Sequence, residues 1–578
     1  MENSKLEMLG NRHHSTPTGN GLLTPLAVPG EAEAGTLAPQ GECWTYAFLA
    51  LGVLGRSVRY FLRFPLWGDE CYVSVNFFHR GYLDLLQPLD YHQVGPYLWL
   101  WTQKTAVDLF GFSELSLRLP AFLSSILSLF LFYHLARRLL AGPARVIAVA
   151  FFAVGYPCLR YAAEAKIYPL DLFTGLLLVV LLVEWLYHPD QRKWPIALTV
   201  WAPVAMGLSY AAAFSAGAIS VLLLGMILRR RLPGGWKMWL VYNAGVVLGA
   251  ALTFLLTARG QMTADQSFQS EAYGLLGAFP PLDSVGAFAK WMVLTHTGAF
   301  FAHPLGGDNG GSTLTLLLCL IGAGVFLRRR EVLPPLLLAL PLTLHLLAAV
   351  MHRYPYGTHV KFSLYVAPMI YVLFAVGIAA LLGLDLRQGK AACFLRNLRI
   401  VLILAAVIGM TSIARDLYRP YKTRADQQVR AFAQWFWPLA GFEDRAVDLK
   451  DDLGYEFSRG TWHNLSASSM YLTNKYIYGS RPMPALPRPA NVPPPSQKVL
   501  RCVLYKDSRE DFDQAAFERW LTGMKQTHPY LGRDVYPFAR MDKRERRIVT
   551  LDYIEVYKFD LSAESQGPAT GSGSTSTQ

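Results

Sequence analysis

Two adjacent carboxylates, Asp69 and Glu70, stand in the segment Phe64-Pro-Leu-Trp-Gly-Asp-Glu-Cys-Tyr, directly after an apolar run. Hemmed in by Trp67 and Tyr72, one of them could be partly desolvated, its pKa raised, and act as a general base. The plainer alternative is that two acids merely mark the water boundary of a membrane helix. Upstream, Arg56, Arg59 and Arg63 follow an i, i+3, i+7 spacing and share one helix face. Such a stripe fits an anionic headgroup held at the interface, or cations snorkelling to water.

Two further segments concentrate polar chemistry between apolar runs. The first is Arg160-Tyr-Ala-Ala-Glu164-Ala-Lys166-Ile-Tyr168-Pro-Leu-Asp171, where Pro169 suits a first helical turn and leaves Asp171 near the positive end of a helix. The second, His352-Arg353-Tyr354-Pro-Tyr-Gly-Thr-His359-Val-Lys361, offers several cations and two phenols. Salt bridging within each turn is the structural alternative to a shared site. His79, His92, His352 and His359 lack a helical metal spacing. No cofactor is called for; if a divalent metal ion takes part, Asp69 and Glu70 are its candidate ligands.

The elements that must position these residues are membrane spans. Among the 578 residues 52% are hydrophobic and only 16% charged, against about a quarter charged in soluble domains. The apolar residues gather in runs of bilayer length, about 17–22 residues. Eleven spans are expected at about 43–63, 119–136, 144–160, 168–187, 195–209, 211–228, 239–257, 313–327, 332–351, 362–383 and 398–414. Turns after the even-numbered spans carry sixteen Lys and Arg, and the longer stretches on the other side carry eight. The positive-inside rule then places the N-terminus in the cytoplasm and the polar hairpins outside. The excess of 54 Lys+Arg over 41 Asp+Glu is thereby accounted for without nucleic acid. Six scattered cysteines with no CxxC pair exclude a disulfide framework and a thiolate zinc site.

Four regions follow. Residues 1–42 read as a disordered cytoplasmic tail and 43–414 as the membrane module. Residues 415–561 read as a small extracytoplasmic α/β domain, with a polar helix near 423–437 and strands near 498–505 and 547–559. A proline-rich loop spans 481–496, and 562–578 form a second disordered tail.

Trp67-Gly-Asp69-Glu70, Leu86-Gln-Pro-Leu-Asp-Tyr-His-Gln93-Val-Gly-Pro96 and Arg118-Leu-Pro120 together resemble the first loop and second span of GT-C glycosyltransferases. The nearest branch is that of protein O-mannosyltransferases and aminoarabinose transferases. Tyr161-Ala-Ala-Glu164-Ala-Lys166-Ile-Tyr168 resembles the acidic hairpin of that family, and Tyr354-Pro-Tyr-Gly-Thr-His359 its late turn. The resemblance covers about 50–380. It implies a GT-C type α-helical polytopic membrane protein in the cytoplasmic (inner) membrane. It further implies transfer, on the outer face, from a polyprenyl-phosphate-sugar donor to a glycan, lipid or protein acceptor. Asp69 then stands at the catalytic carboxylate, with Glu70 beside it. Arg160, Glu164, Lys166, Tyr168, Arg353, Tyr354, His359 and Lys361 are the candidates for donor phosphate and sugar. Tyr91, His92 and Gln93 are the candidates for acceptor or loop contacts. Lys166 stands where the family commonly has Arg, a point charge in place of a fork.

A phosphate ester is a good leaving group that needs charge stabilisation, so a single carboxylate base suffices for inverting displacement. The rival class is a transporter or lipid-handling protein without transferase activity. It predicts ionisable residues near the bilayer midplane and internal repeats, neither of which is evident.

Overall fold

The computed structural model describes residues 38–561 apart from 230–234, 262–272, 275, 307–309, 384–390, 440–444, 451, 456, 460–461, 480–498, 507–510 and 542–547. Both expected tails, apart from residues 38–42, and the proline-rich loop lie outside the described residues. A helix occupies each of the eleven expected spans, from Ala38–Phe61 to Ala391–Tyr418. Seven described helices are long and apolar enough to cross a membrane by length and composition. Gly142–Val154 and Ala212–Leu228 are apolar but shorter. The first helix starts at Ala38, ahead of the expected 43, and Glu42 pairs with Arg145 at 2.7 Å.

The membrane core forms where helices are apolar all round. Val146 to Val154 and nearly all of Tyr168–Tyr187 are buried, as expected for helices enclosed by other helices. Glycine allows one close crossing. A Cβ on Gly322 would lie 2.0 Å from the Leu373 carbonyl oxygen, and one on Gly377 2.1 Å from that of Leu318. The backbones of Gly311–Arg328 and Ala367–Gly383 meet there without side chains between them.

The stretch between the first two expected spans is itself structured. It holds the short helix Gly68–Ser74 and the longer Tyr97–Phe110, neither of which is an expected span. The C-terminal region carries a four-stranded sheet of Arg445–Asp448 (β1), Val499–Lys506 (β2), Tyr530–Met541 (β3) and Ile548–Asp560 (β4), in the order β1-β2-β4-β3. The β1–β2 pair is parallel and the other two are antiparallel. Helices Arg424–Leu439, Trp462–Gly479 and Gln514–Thr527 and a two-stranded antiparallel pair, Ser458–Arg459 with Asp511–Phe512, belong to the same α/β region.

This region is seated on the first loop. Phe78 and Tyr476 stack with ring centroids 4.3 Å apart, and the Tyr478 hydroxyl donates to the Glu114 carboxylate. One apolar cluster joins Leu66, Phe77 and Trp99 of the loop to Phe432, Trp437 and Ile477 beyond it. The loop bearing Asp69 is therefore packed from two sides, by membrane helices and by the α/β region.

Candidate active site

Asp69 lies in the first turn of Gly68–Ser74, a helix entered through Pro65 and Trp67. Its two carboxylate oxygens each meet one ammonium group. Lys166 Nζ is 3.1 Å from Oδ1, and Lys361 Nζ is 3.1 Å from Oδ2. Lys166 comes from the turn between two helices, and Lys361 from the 3-10 helix Val360–Val366. Lys166 Nζ also donates to Gln93 Oε1 at 2.8 Å, and Lys361 Nζ lies 5.1 Å from the centre of the Tyr168 ring. Segments far apart in sequence thus converge on one carboxylate. Two ammonium groups around one carboxylate leave a net positive charge, which favours a further anion.

The expectation of a raised carboxyl pKa is not met at Asp69. Burial pushes the Asp69 carboxyl up, but Lys166 and Lys361 outweigh it and hold it well below the usual carboxylate range. Lys166 moves down as well, first because it is buried and then through the like charge of Lys361.

Glu70 faces the opposite way and is fully buried. Arg118 grips it with two bonds, Nε to Oε1 at 2.7 Å and Nη2 to Oε2 at 2.6 Å. Arg118 Nη1 donates to the Phe64 carbonyl at 2.6 Å, while the Ala165 N–H donates to Glu70 Oε1 at 2.7 Å. One ion pair therefore ties the Asp69 loop, the second-span helix and the Lys166 turn together. Glu70 positions Asp69 and Lys166 relative to each other. In the sequence Arg118 stands out only as part of a motif. An arginine inside an apolar helix demands a buried partner, and that was the available signal.

The donor set does not suit a divalent cation. Both oxygens of Asp69 face ammonium groups and both oxygens of Glu70 face a guanidinium, a surround of positive charge that repels a further cation. Among the described residues no group of three or more His, Cys, Asp or Glu could hold a metal ion.

The remaining predicted residues divide. Tyr354 packs among Phe214, Phe362 and His345, with ring centroids 5.3, 6.0 and 5.1 Å away. His345 Nε2 donates to the Pro355 carbonyl at 2.9 Å and so pins the late turn that delivers Lys361. Gly357 is required in that turn, because its φ is 80° and a Cβ there would lie 2.0 Å from Thr295 Cγ2. Arg353 and His359 are exposed, and no ion pair joins either to Asp69 among the described residues. Tyr91 and His92 both have positive φ, 58° and 53°, in the bend that presents Gln93 to Lys166.

Arg160 and Glu164 pair with each other at 3.2 Å and line a different cavity. Two arginines of the stripe are also spoken for. Arg56 is buried and donates to Ser125 Oγ and the Ala153 carbonyl, Arg59 pairs with Asp416 at 2.6 Å, and Arg63 lies beyond the helix end. Sequence reasoning missed Tyr273, whose ring lies 5.5 Å from that of Phe362 and which feels the charge of Lys361. It also left Asp171 without its partner, Ser209, whose hydroxyl donates to Oδ1 at 2.6 Å.

Fold and site define an α-helical multi-pass membrane protein with an α/β C-terminal region and a cation-rich carboxylate centre. Residues 94–256 match the family model described as dolichyl-phosphate-mannose-protein mannosyltransferase. The resemblance to GT-C glycosyltransferases drawn from the motifs thus has independent support from a stretch that includes Arg118 and Lys166. No curated protein matches the chain in sequence. Among solved structures, ArnT from Cupriavidus metallidurans in the apo state is 14% identical with a TM-score of 0.45, covering 89% of this chain and 98% of that one. The same protein bound to undecaprenyl phosphate gives 13% and 0.42, with the same coverage. The Archaeoglobus fulgidus oligosaccharyltransferase in complex with Zn and sulfate gives 15% and 0.44 over 67% of this chain. This chain spans 55% of the length of that oligosaccharyltransferase.

Proposed function

We propose that the chain transfers a sugar from a polyprenyl-phosphate donor to an acceptor hydroxyl on the extracytoplasmic face, with inversion and with Asp69 as the base. The observation that carries this reading is the Asp69 carboxylate held between Lys166 and Lys361 at 3.1 Å each. The net positive charge attracts the donor phosphate, which then competes with Asp69 for the two ammonium groups. As they turn to phosphate, the carboxylate loses the cations that depress its pKa and becomes a stronger base. The acceptor oxygen attacks the anomeric carbon and its proton passes to Asp69. The bond from that carbon to the phosphate oxygen breaks with its electron pair on phosphate, where Lys166 and Lys361 stabilise the charge. Glu70 and Arg118 hold the two loops in register. The C-terminal α/β region, in this reading, lies outside the membrane and braces the Asp69 loop.

The test is mass spectrometry of lipid-linked sugars and envelope glycans from cells carrying the wild type, Asp69→Asn or no copy of the gene. Loss of one glycan modification, with accumulation of its polyprenyl-linked sugar, is expected in both defective strains. Unchanged lipid-linked sugars in both would overturn the proposal.

A further inference from the structure

Gln261 closes the helix Gly235–Gln261 and is buried. Its side-chain amide grips the main chain of the first loop at two points. Oε1 accepts from the Gly95 N–H at 3.0 Å, and Nε2 donates to the Gly95 carbonyl at 3.2 Å. The Tyr210 hydroxyl donates to the same Oε1 at 3.2 Å. A π-helical turn, Phe254–Ala258, precedes this end of the helix. Such a turn takes in one extra residue and moves each later side chain about 100° round the axis. That rotation sets the direction in which Gln261 leaves the helix, and π turns recur at functional sites.

Asn76 does the same a few residues earlier in the loop. It is buried, its Oδ1 accepts from the Asp90 N–H at 2.8 Å, and its Nδ2 donates to the Asp90 carbonyl at 3.5 Å. Between the two grips lie Gln93 and the pair Tyr91 and His92, both at positive φ. Residues other than glycine keep that backbone only where their surroundings impose it, and the two amides supply the constraint. Gln93 Nε2 donates to the Tyr91 carbonyl at 3.0 Å, which leaves Oε1 to accept from the Lys166 ammonium at 2.8 Å. Lys166 therefore has two acceptors of different kinds, the charged Asp69 and the neutral Gln93. A phosphate repels the carboxylate but not the amide, so Gln93 keeps its bond when Asp69 gives way.

We propose that Gln261 and Asn76 are positioning residues for donor binding. Their amides hold the bend at Tyr91–Gln93, and Gln93 keeps the Lys166 ammonium directed at the donor phosphate after Asp69 has released it. The inference rests on the donor-phosphate role proposed above for Lys166.

The experiment is a set of double-mutant cycles in which decaprenyl phosphate is titrated against the purified full chain in detergent. Gln93→Met and Gln261→Met should each weaken binding about tenfold or more, as expected when a charge-assisted contact loses its geometry. The Gln261→Met loss should vanish in a Lys166→Met background, where the ammonium it directs is gone, and persist in a Lys361→Met background. A purely structural amide would cost the same in both. Thermal unfolding midpoints identify the variants that fold. Should Gln261→Met not fold, Gln261→Glu takes its place, because it keeps the acceptor for the Gly95 N–H and loses only the donor to the carbonyl; the same pattern is expected. Asn76→Asp makes the matching change at Asp90 and should weaken binding in the same Lys166-dependent way. Normal binding by Gln93→Met and Gln261→Met beside weak binding by Lys166→Met would overturn the inference and leave the donor reading standing. An undiminished Gln261→Met loss in the Lys166→Met background would also overturn it. Normal binding by Lys166→Met would overturn the donor reading itself, and the inference with it.

Discussion

Lys361 Nζ stands 3.1 Å from Asp69 Oδ2, although 292 positions separate the two residues in the chain. Lys166 approaches the other oxygen at the same distance. The carboxylate is thereby held in a two-cation clamp, which in the proposed mechanism an incoming phosphate takes over.

Removing either cation should weaken donor binding. Charge-assisted bonds to phosphate are each worth about 1.5–3 kcal/mol, so Lys166→Met or Lys361→Met should lower donor affinity about 10–150-fold. Arg59→Met, whose guanidinium is paired with Asp416, should not. Titration of a polyprenyl-phosphate-sugar against the three variants decides between them. If Arg59→Met alone binds poorly, the phosphate site has been misassigned.

Asp69→Asn keeps the shape of the side chain but removes the carboxylate that the proposed mechanism uses as its base. Turnover should fall by about 10²–10⁴-fold, the usual range for lost general-base catalysis. Donor binding should persist, because both ammonium groups remain and one anion competing for them has gone. Near-normal turnover in this variant would sink the assignment.

Glu70→Gln and Arg118→Met act on the scaffold. Each leaves the other member of a buried pair uncompensated, a loss typically of about 3–5 kcal/mol. Thermal unfolding midpoints should fall in both, and turnover should fall with them. A midpoint unchanged in both would mean that this pair does not hold the loops together.

Much of this was legible in sequence, and the exceptions have physical reasons. The spans followed from apolar runs, and Asp69, Lys166 and Lys361 were all named because charged residues cluster at helix ends. Which cations would meet Asp69 was not legible, because side-chain direction within a turn leaves no periodic trace. Arg353 and Lys361 sit in one turn, yet only Lys361 points to the carboxylate. Glu70 and Asp69 are adjacent, but a helical turn sends them to opposite faces, one to Arg118 and one to the lysines. Tyr97–Phe110 escaped because it is amphipathic and too short to span a membrane, at 14 residues.

The pH dependence separates the free enzyme from the donor complex. In the free enzyme the clamp depresses the Asp69 pKa, so the carboxylate stays ionised as pH falls through the range where ordinary carboxylates protonate. The stability contributed by the clamp is present above the unfolded pKa of about 3.9 and is lost only as pH falls through the lower folded value. On the alkaline side the lowered pKa of Lys166 removes its charge at a pH below that of an ordinary lysine. Donor affinity should therefore decline with rising pH earlier than a lysine near 10.4 would cause, and Lys166→Arg should move that decline upward. In the proposed mechanism the donor phosphate draws the lysines away and so relieves the depression of Asp69. The acid limb of kcat, which reports the donor complex, should then lie at higher pH than the acid limb of kcat/KM. Measuring both profiles at saturating acceptor distinguishes the two states. Coincident acid limbs would show that Asp69 keeps its cations throughout the reaction and is not freed by the donor.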